Sequence, residues 1–348
     1  MRFLRKRNVG VVGVVVLVLL ALSLAGCSSN NQAGEGKKED SKEVEYPVKP
    51  FEFIAPGGPG GGWDTTIRTV AKVLEDQKLV SQPMPVINKP GGGGAVGLAY
   101  MQEKKGSPYH VIVYSPPLLL INLNGSTKLS YKDLTPLTRL IMDYGIFVVH
   151  PDSPYETIND VMEALKEDPK SVKIAGSSSP GSMDHIAFLK AAKAAGVKNL
   201  KEIEYISYQG NEGLAQLMGG HVDLFSTGAS EVVGALESGD IRALAVTSAE
   251  RIGAGKLAEV PTLIEQGINT TFENWRGLFG PPEMPDYAVD YLVAALIKMV
   301  ETDQWKEMCE KNGWNEAFLG PEEFLKFIEK TNEEYKEILR EIGMLKQQ

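Results

Sequence analysis

Within residues 51–76, a short apolar strand, a loop almost bare of side chains and an amphipathic helix follow one another directly. The loop reads Ala55-Pro56-Gly57-Gly58-Pro59-Gly60-Gly61-Gly62-Trp63-Asp64. Glycine reaches backbone angles that other residues avoid, so the amides of such a loop can face a bound molecule. The first N–H groups of a helix lack internal partners, and the helix dipole adds partial positive charge there. Strand, bare loop and helix start together make an anion-binding corner. Trp63 and Asp64, directly behind the glycines, predict a fixed geometry rather than a flexible connector.

The same grammar continues along the chain. Strands are predicted at 51–55, 84–88, 111–114, 172–175, 203–205, 222–225, 243–247, 272–274 and 278–280. Helices alternate with them at 64–76, 95–104, 157–167, 184–195, 212–218, 231–238, 286–301, 303–312 and 321–342. Short strands alternating with helices indicate an α/β fold with largely parallel sheets. Lys89-Pro90-Gly91-Gly92-Gly93-Gly94 forms a second bare loop, and Ser177-Ser178-Ser179-Pro180-Gly181-Ser182 a hydroxyl-rich one. A chain of 348 residues, 43% of them hydrophobic, has material for two lobes. Crossings placed near Val148 and Thr247 give a first lobe of 46–147 plus 249–348 and a second of 148–248. The last helix carries Phe324, Phe327, Ile328, Tyr335, Ile338, Leu339 and Ile342 at helical spacing, a stripe expected to pack on the first lobe.

The amino-terminal residues read as a processing segment. Arg2, Arg5, Lys6 and Arg7 precede an apolar run at 9–22, and Leu24-Ala25-Gly26-Cys27 follows. That is a secretory signal with a lipoprotein cleavage box, so 1–26 is read as a signal peptide. Cys27 is then the lipidated first residue, and the polar stretch 27–45 a flexible tether. Cys309 remains alone and reads as a small buried hydrophobe. The formal charge of −9 becomes more negative still without the leader, and no basic block argues for nucleic acid as a partner.

Nucleotide chemistry is poorly supported. Gly92-x-Gly94-x-x-Gly97 matches a dinucleotide fingerprint, but no acidic residue follows at the required distance. Neither glycine loop is followed by the lysine of a triphosphate site. The four histidines are too scattered for a metal centre. No cofactor and no metal are expected. The serine loop with His185 as base allows an extracytoplasmic serine hydrolase as an alternative, although no G-x-S-x-G elbow is present. Ligands of open α/β sheets bind beyond the carboxyl ends of the strands. The loops around Gly60, Gly92, Ser115, Ser178, Gln209 and Thr227 would there hold a carboxylate by amides and hydroxyls, without any arginine.

Taken in order, several segments resemble the solute receptors of tripartite tricarboxylate transporters. They are the first loop with Trp63 and Asp64, Asn88-Lys89-Pro90-Gly91-Gly92, Ser182 with His185, and Tyr208-x-Gly210. Leu217-Met218-Gly219-Gly220-His221-Val222-Asp223, Ala243-Leu244-Ala245-Val246-Thr247-Ser248 and Val260-Pro261-Thr262-Leu263-Ile264-Glu265-Gln266-Gly267 complete the set. The resemblance implies a two-lobed periplasmic-binding-protein fold, of the type II flytrap kind with a two-strand hinge. It implies a monomeric receptor without catalysis that delivers a small carboxylate to a membrane permease of one large and one small subunit. The chain would sit on the outer face of the cytoplasmic membrane through lipid on Cys27, or in the periplasm. The longer Gly61-Gly62-Trp63-Asp64 form is similar to the citrate-binding branch and favours a tricarboxylate. By the same resemblance the ligand contacts are Gly60, Gly61, Gly62, Trp63, Asp64, Gly92, Gly93, Ser115, Ser178, Ser179, Ser182, Tyr208, Gln209, Gly210, Thr227 and Gly228. A ligand sensor serving a signalling kinase is a further alternative.

Overall fold

The computed structural model describes residues 45–208 and 212–346. The predicted signal peptide, Cys27 and nearly all of the tether lie outside the described residues, as do Gln209 and Gly210.

Among the described residues, ten strands share one curled mixed sheet, joined through a single long strand. The first half starts from β1 (Glu52–Ala55), which pairs in parallel with β2 (Val86–Asn88) and β3 (His110–Tyr114). Between them run α1 (Gly62–Asp76) and α2 (Ala95–Glu103), and α3 (Pro117–Leu123) follows β3. Strand β4 (Thr135–Val149) is fifteen residues long. The second half contains α4 (Ile158–Glu167), β5 (Ile174–Gly176), α5 (Met183–Ala194), β6 (Tyr205–Ser207), α6 (Glu212–Met218), β7 (Leu224–Gly228), α7 (Val233–Ser238), β8 (Arg242–Val246) and α8 (Lys256–Glu259). The chain returns through β9 (Glu273–Gly280), α9 (Asp286–Val300), α10 (Asp303–Asn312), β10 (Asn315–Leu319) and α11 (Pro321–Glu341).

Strand β4 belongs to both halves. Up to Tyr144 it pairs antiparallel with β9, and it also carries β10. From Gly145 onward it pairs with β7 and β8 instead. The switch therefore falls at Tyr144–Gly145, a little before the boundary drawn from sequence. Thr247 pins the crossing: its hydroxyl accepts from Gly145 N at 2.8 Å and donates to Phe272 O at 2.7 Å.

The return lies later than expected. Ile252, Leu257 and Val260 pack with Ile146, Val148 and Phe225 of the second half, so that stretch stays there although the sequence reading gave it to the first. Val246 bridges to Thr262, and the chain crosses back only towards Phe272. Strand β9 is continuous where two short strands were predicted; Arg276 and Gly277 interrupt the apolar run but not the backbone pairing. Helix α11 buries Phe324, Ile328, Tyr335 and Leu339 as its stripe predicts. It also reaches the second half through the Lys193–Glu341 ion pair, so it spans the junction. Cys309 is buried beside Trp305 in the first half, and burial pushes its thiol up to about 12.

Candidate functional site

Between the halves, the carboxyl ends of β1, β3 and β5 and the side of β9 converge on one cleft. It encloses about 80 Å³, room for a few waters at the roughly 10–15 Å³ that each requires. One wall is the first glycine loop, with Gly57, Gly58, Gly61, Gly62 and Trp63 on the lining. The second glycine loop adds Gly91, Gly93 and Gly94, and the start of α3 adds Ser115 and Pro117. Facing them are Ser177, Ser178, Met183, Asp184 and Glu231 of the second half.

The first loop is held from inside. Asp64 accepts from Gly60 N at 3.0 Å, Arg68 Nε at 2.8 Å and Asn88 Nδ2 at 2.9 Å. Burial alone would push its carboxyl up, but these hydrogen bonds outweigh it and hold the pKa below the ordinary aspartate value. Asp64 thus orders the loop from behind and is not part of the cleft lining. Trp63 lies with its edge to Tyr114 and donates Nε1–H to Ser115 Oγ at 2.9 Å. The second loop bends through Gly92, Gly93 and Gly94 at positive φ, where a side chain would be strained. At Gly93 a Cβ would also meet Ser179 Oγ at 3.0 Å, so the two halves come close at this point.

On the opposite wall, Asp184 Oδ2 accepts from Ser178 N at 2.8 Å, while Ser178 Oγ accepts from Asp184 N at 2.8 Å. This reciprocal pair fixes the serine loop onto α5. Burial, reinforced by the nearby Glu231 charge, pushes the Asp184 carboxyl up to about 8. His185 is stacked on Tyr205 and takes the Gly181 N–H on Nδ1 at 2.9 Å. Burial lowers its pKa to about 4, so the ring is neutral and its Nδ1 is committed to the loop backbone.

Of the residues named from sequence, the structure brings Gly61, Gly62, Trp63, Gly93, Ser115 and Ser178 onto the lining. Gly60, Asp64, Gly92, Ser179, Ser182, Tyr208, Thr227 and Gly228 stand behind or beside it. Ser182 is wholly buried at the start of α5, and its Oγ finds no partner. Thr227 is buried and donates to Glu231 Oε2 at 2.6 Å.

Several side chains in or behind the site were missed, among them Asp184, Glu231, Asn274, Arg276 and Asp143. Arg276, on β9, donates to Gly62 O at 2.5 Å, Thr66 Oγ1 at 2.7 Å and Asp143 Oδ2 at 2.6 Å. Its Nε, like Oδ1 of neighbouring Asn274, is buried without a partner. Asp143 also accepts from Ser230 Oγ at 2.9 Å. An arginine that the sequence reading did not name thus stands in the cleft wall, with its Nη atoms taken by Gly62, Thr66 and Asp143. A lone arginine between Trp275 and Leu278-Phe279 was the available signal, since a buried arginine has to be paired. Among the described residues no group of three or more His, Cys, Asp or Glu side chains is arranged to hold a metal ion. Nor is any described helix long and apolar enough to cross a membrane.

A family model described as Tripartite tricarboxylate transporter family receptor matches residues 66–344. The chain is 26% identical over 330 residues to a UPF0065 protein of Pseudomonas sp. (strain P51) from the tcbD-tcbE intergenic region, covering 93% of each chain. Among solved structures it is similar to MatC from Rhodopseudomonas palustris with bound malate. The TM-score is 0.74 at 20% identity, over 84% of this chain and 100% of that one. It is also similar to an R. palustris protein with adipate, with a TM-score of 0.78 at 21% identity over 86% and 99%.

Proposed function

We propose, given that this chain belongs to the tripartite tricarboxylate transporter receptor family, that it is a two-lobed receptor for a small carboxylate that serves a membrane permease. The observation that carries this reading is the cleft itself. Three bare or hydroxyl-rich loops, two of them from the first half and one from the second, line one space. Hydrogen bonds from amides and hydroxyls to a charged acceptor contribute roughly 1.5–3 kcal/mol each. Three or four would sustain a micromolar ligand, about −8 kcal/mol. Malate and adipate, bound to the two R. palustris proteins, are carboxylates of suitable size to test.

A tricarboxylate such as citrate is the favoured ligand, on the Gly61-Gly62-Trp63-Asp64 form of the first loop. The lobes close as hinged bodies about Gly145, Thr247 and Phe272, where the crossing strands are pinned. The present cleft is narrow, so entry of a carboxylate requires the lobes to part. The receptor is exported and tethered through lipid on Cys27, acts as a monomer, and passes its ligand to a permease of one large and one small subunit. It performs no catalysis; the neutral His185, tied to the Gly181 amide, is badly placed to activate a serine.

A thermal-shift screen against citrate, malate, adipate, amino acids and sugars tests this. Ligand at 100 times its dissociation constant adds about 2.7 kcal/mol to stability, which displaces the melting curve visibly. A shift with a sugar or a metal and with no carboxylate would sink the proposal.

A further inference from the structure

The α1 start that the sequence offers to an anion already holds one, and it belongs to the protein. Glu231, in the short turn after β7, accepts from Gly62 N through Oε1 at 3.1 Å. Its Oε2 accepts from Thr227 Oγ1 and lies 3.4 Å from Ser177 Oγ. Gly62 belongs to the first half and Glu231 to the second, so this carboxylate bridges the cleft that it lines. Glycines leave it room: a Cβ on Gly62 would stand 2.6 Å from Oε1, and one on Gly228 3.4 Å away.

The charged groups facing Glu231 are Arg276 from β9, Asp143 from β4 and Asp184 from α5. Arg276 lies 3.9 Å away, but its Nη atoms are engaged by Gly62, Thr66 and Asp143. It does not neutralise Glu231 by itself. A ligand carboxylate seated on the Gly62 amide would face the Glu231 carboxylate at close range, and two carboxylates in one such site do not both stay ionised.

We propose that Glu231 is a specificity-determining residue that couples carboxylate binding to a proton. The ligand carboxylate takes the Gly62 amide, and Glu231 takes up one proton from solvent and donates it as a hydrogen bond to that carboxylate. The only covalent change is the O–H bond formed on Glu231, at the expense of one O–H or N–H bond of a hydronium ion or buffer acid. Burial already holds the Glu231 carboxyl above the ordinary glutamate value, so the extra shift on binding starts from a favourable position. The inference rests on the carboxylate-receptor reading and adds the protonation state in which the ligand is held.

Titration calorimetry on the intact protein tests it, with citrate, malate and adipate as probes, at pH 7 and 8, in phosphate and in Tris. The dependence of heat on buffer ionisation counts protons taken up. Wild type is expected to take up about one proton more per ligand than Glu231→Gln, and to lose about tenfold in affinity over that pH unit relative to the variant. The glutamine amide mimics the protonated acid, so E231Q should also bind more tightly than wild type at pH 8. Asp184 feels the Glu231 charge, so the same pair of measurements is repeated on the Asp184→Asn background, where a difference that persists belongs to Glu231. Equal proton counts, or weaker binding by E231Q at both pH values, overturn the inference while leaving a carboxylate receptor intact. Failure of every carboxylate to bind wild type overturns both. Should E231Q not fold, Asp184→Asn serves as the background, and zero uptake there overturns the proposal.

Discussion

Arg276 Nη2 stands 2.6 Å from Asp143 Oδ2, with both side chains closed to solvent. The pair joins β9 to β4 next to the point where β4 passes from one half to the other. The same guanidinium reaches Gly62 O at the start of α1. One side chain therefore ties the cleft wall to the crossing. Breaking a buried pair by removing one partner costs about 3–5 kcal/mol, because the other charge is left uncompensated. Arg276→Met should lower the unfolding free energy read from urea melts by that order, and the midpoint with it. An unchanged midpoint would show that Asp143 finds another partner.

Gly62→Ala sets two effects against each other. Helix propensity alone favours alanine by about 1 kcal/mol. Yet a Cβ there would stand 2.6 Å from Glu231 Oε1 and 2.7 Å from Arg276 Cζ. Arg276 is locked by three partners and cannot retreat, so overpacking of about 1–3 kcal/mol should win. Denaturant melts should show the alanine variant less stable; a gain in stability would mean that the cluster gives way easily.

Ser115→Ala strips the acceptor from the Trp63 indole N–H. The expected loss is about 1–3 kcal/mol if the N–H stays unpaired, together with a change in tryptophan emission. Trp63→Ala separates contact from packing: weaker citrate binding at unchanged stability means that the ring touches ligand. Reduced stability with unchanged affinity assigns the ring to the wall.

Stability should fall between about pH 6.5 and 8. The folded Asp184 pKa, about 8, lies above its unfolded value. Its contribution is therefore fully present below about pH 4 and is lost as pH rises towards 8. His185 works the other way, since its folded pKa of about 4 lies below the unfolded one; its contribution is lost as pH falls from about 6.5 towards 4. Below about 6.5 the two oppose each other, and above it the Asp184 trend stands without that opposition. Asp184→Asn should flatten the melting temperature across that upper window while keeping the oxygen that accepts from Ser178. A wild-type curve flat from 6.5 to 8 would contradict this.

Local grammar carried much of the fold. Glycine loops, helix stripes and strand spacing are properties of a few consecutive residues, and α1, α9 and α11 begin and end within a few residues of the sequence reading. The hold of Asp64 on the first loop is equally local, because its partners Gly60 and Arg68 lie four residues to either side of it, although the N-cap of α1 is Gly61, with no side-chain cap. The cross-cleft cluster was not. Gly62 and Glu231 are 169 positions apart, and Gly62 and Arg276 are 214 apart, so only the sheet topology could bring them together. Strand β10 was missed because Asn315 and Glu316 face solvent and break the apolar signal.

Strand β4 sets the order in which the chain can fold. Strand β3 waits for β9 as its neighbour, and β9 in turn fills the gap between β3 and β4. The first-half sheet, which begins at residue 52, therefore lacks the strand between β3 and β4 until residue 280 has been synthesised, and its last strand β10 until residue 319. Pairings of such long sequence separation slow folding. A nascent chain of this protein thus holds the first-half core open through most of its synthesis, while the cluster from Ile146 to Val260 can already close.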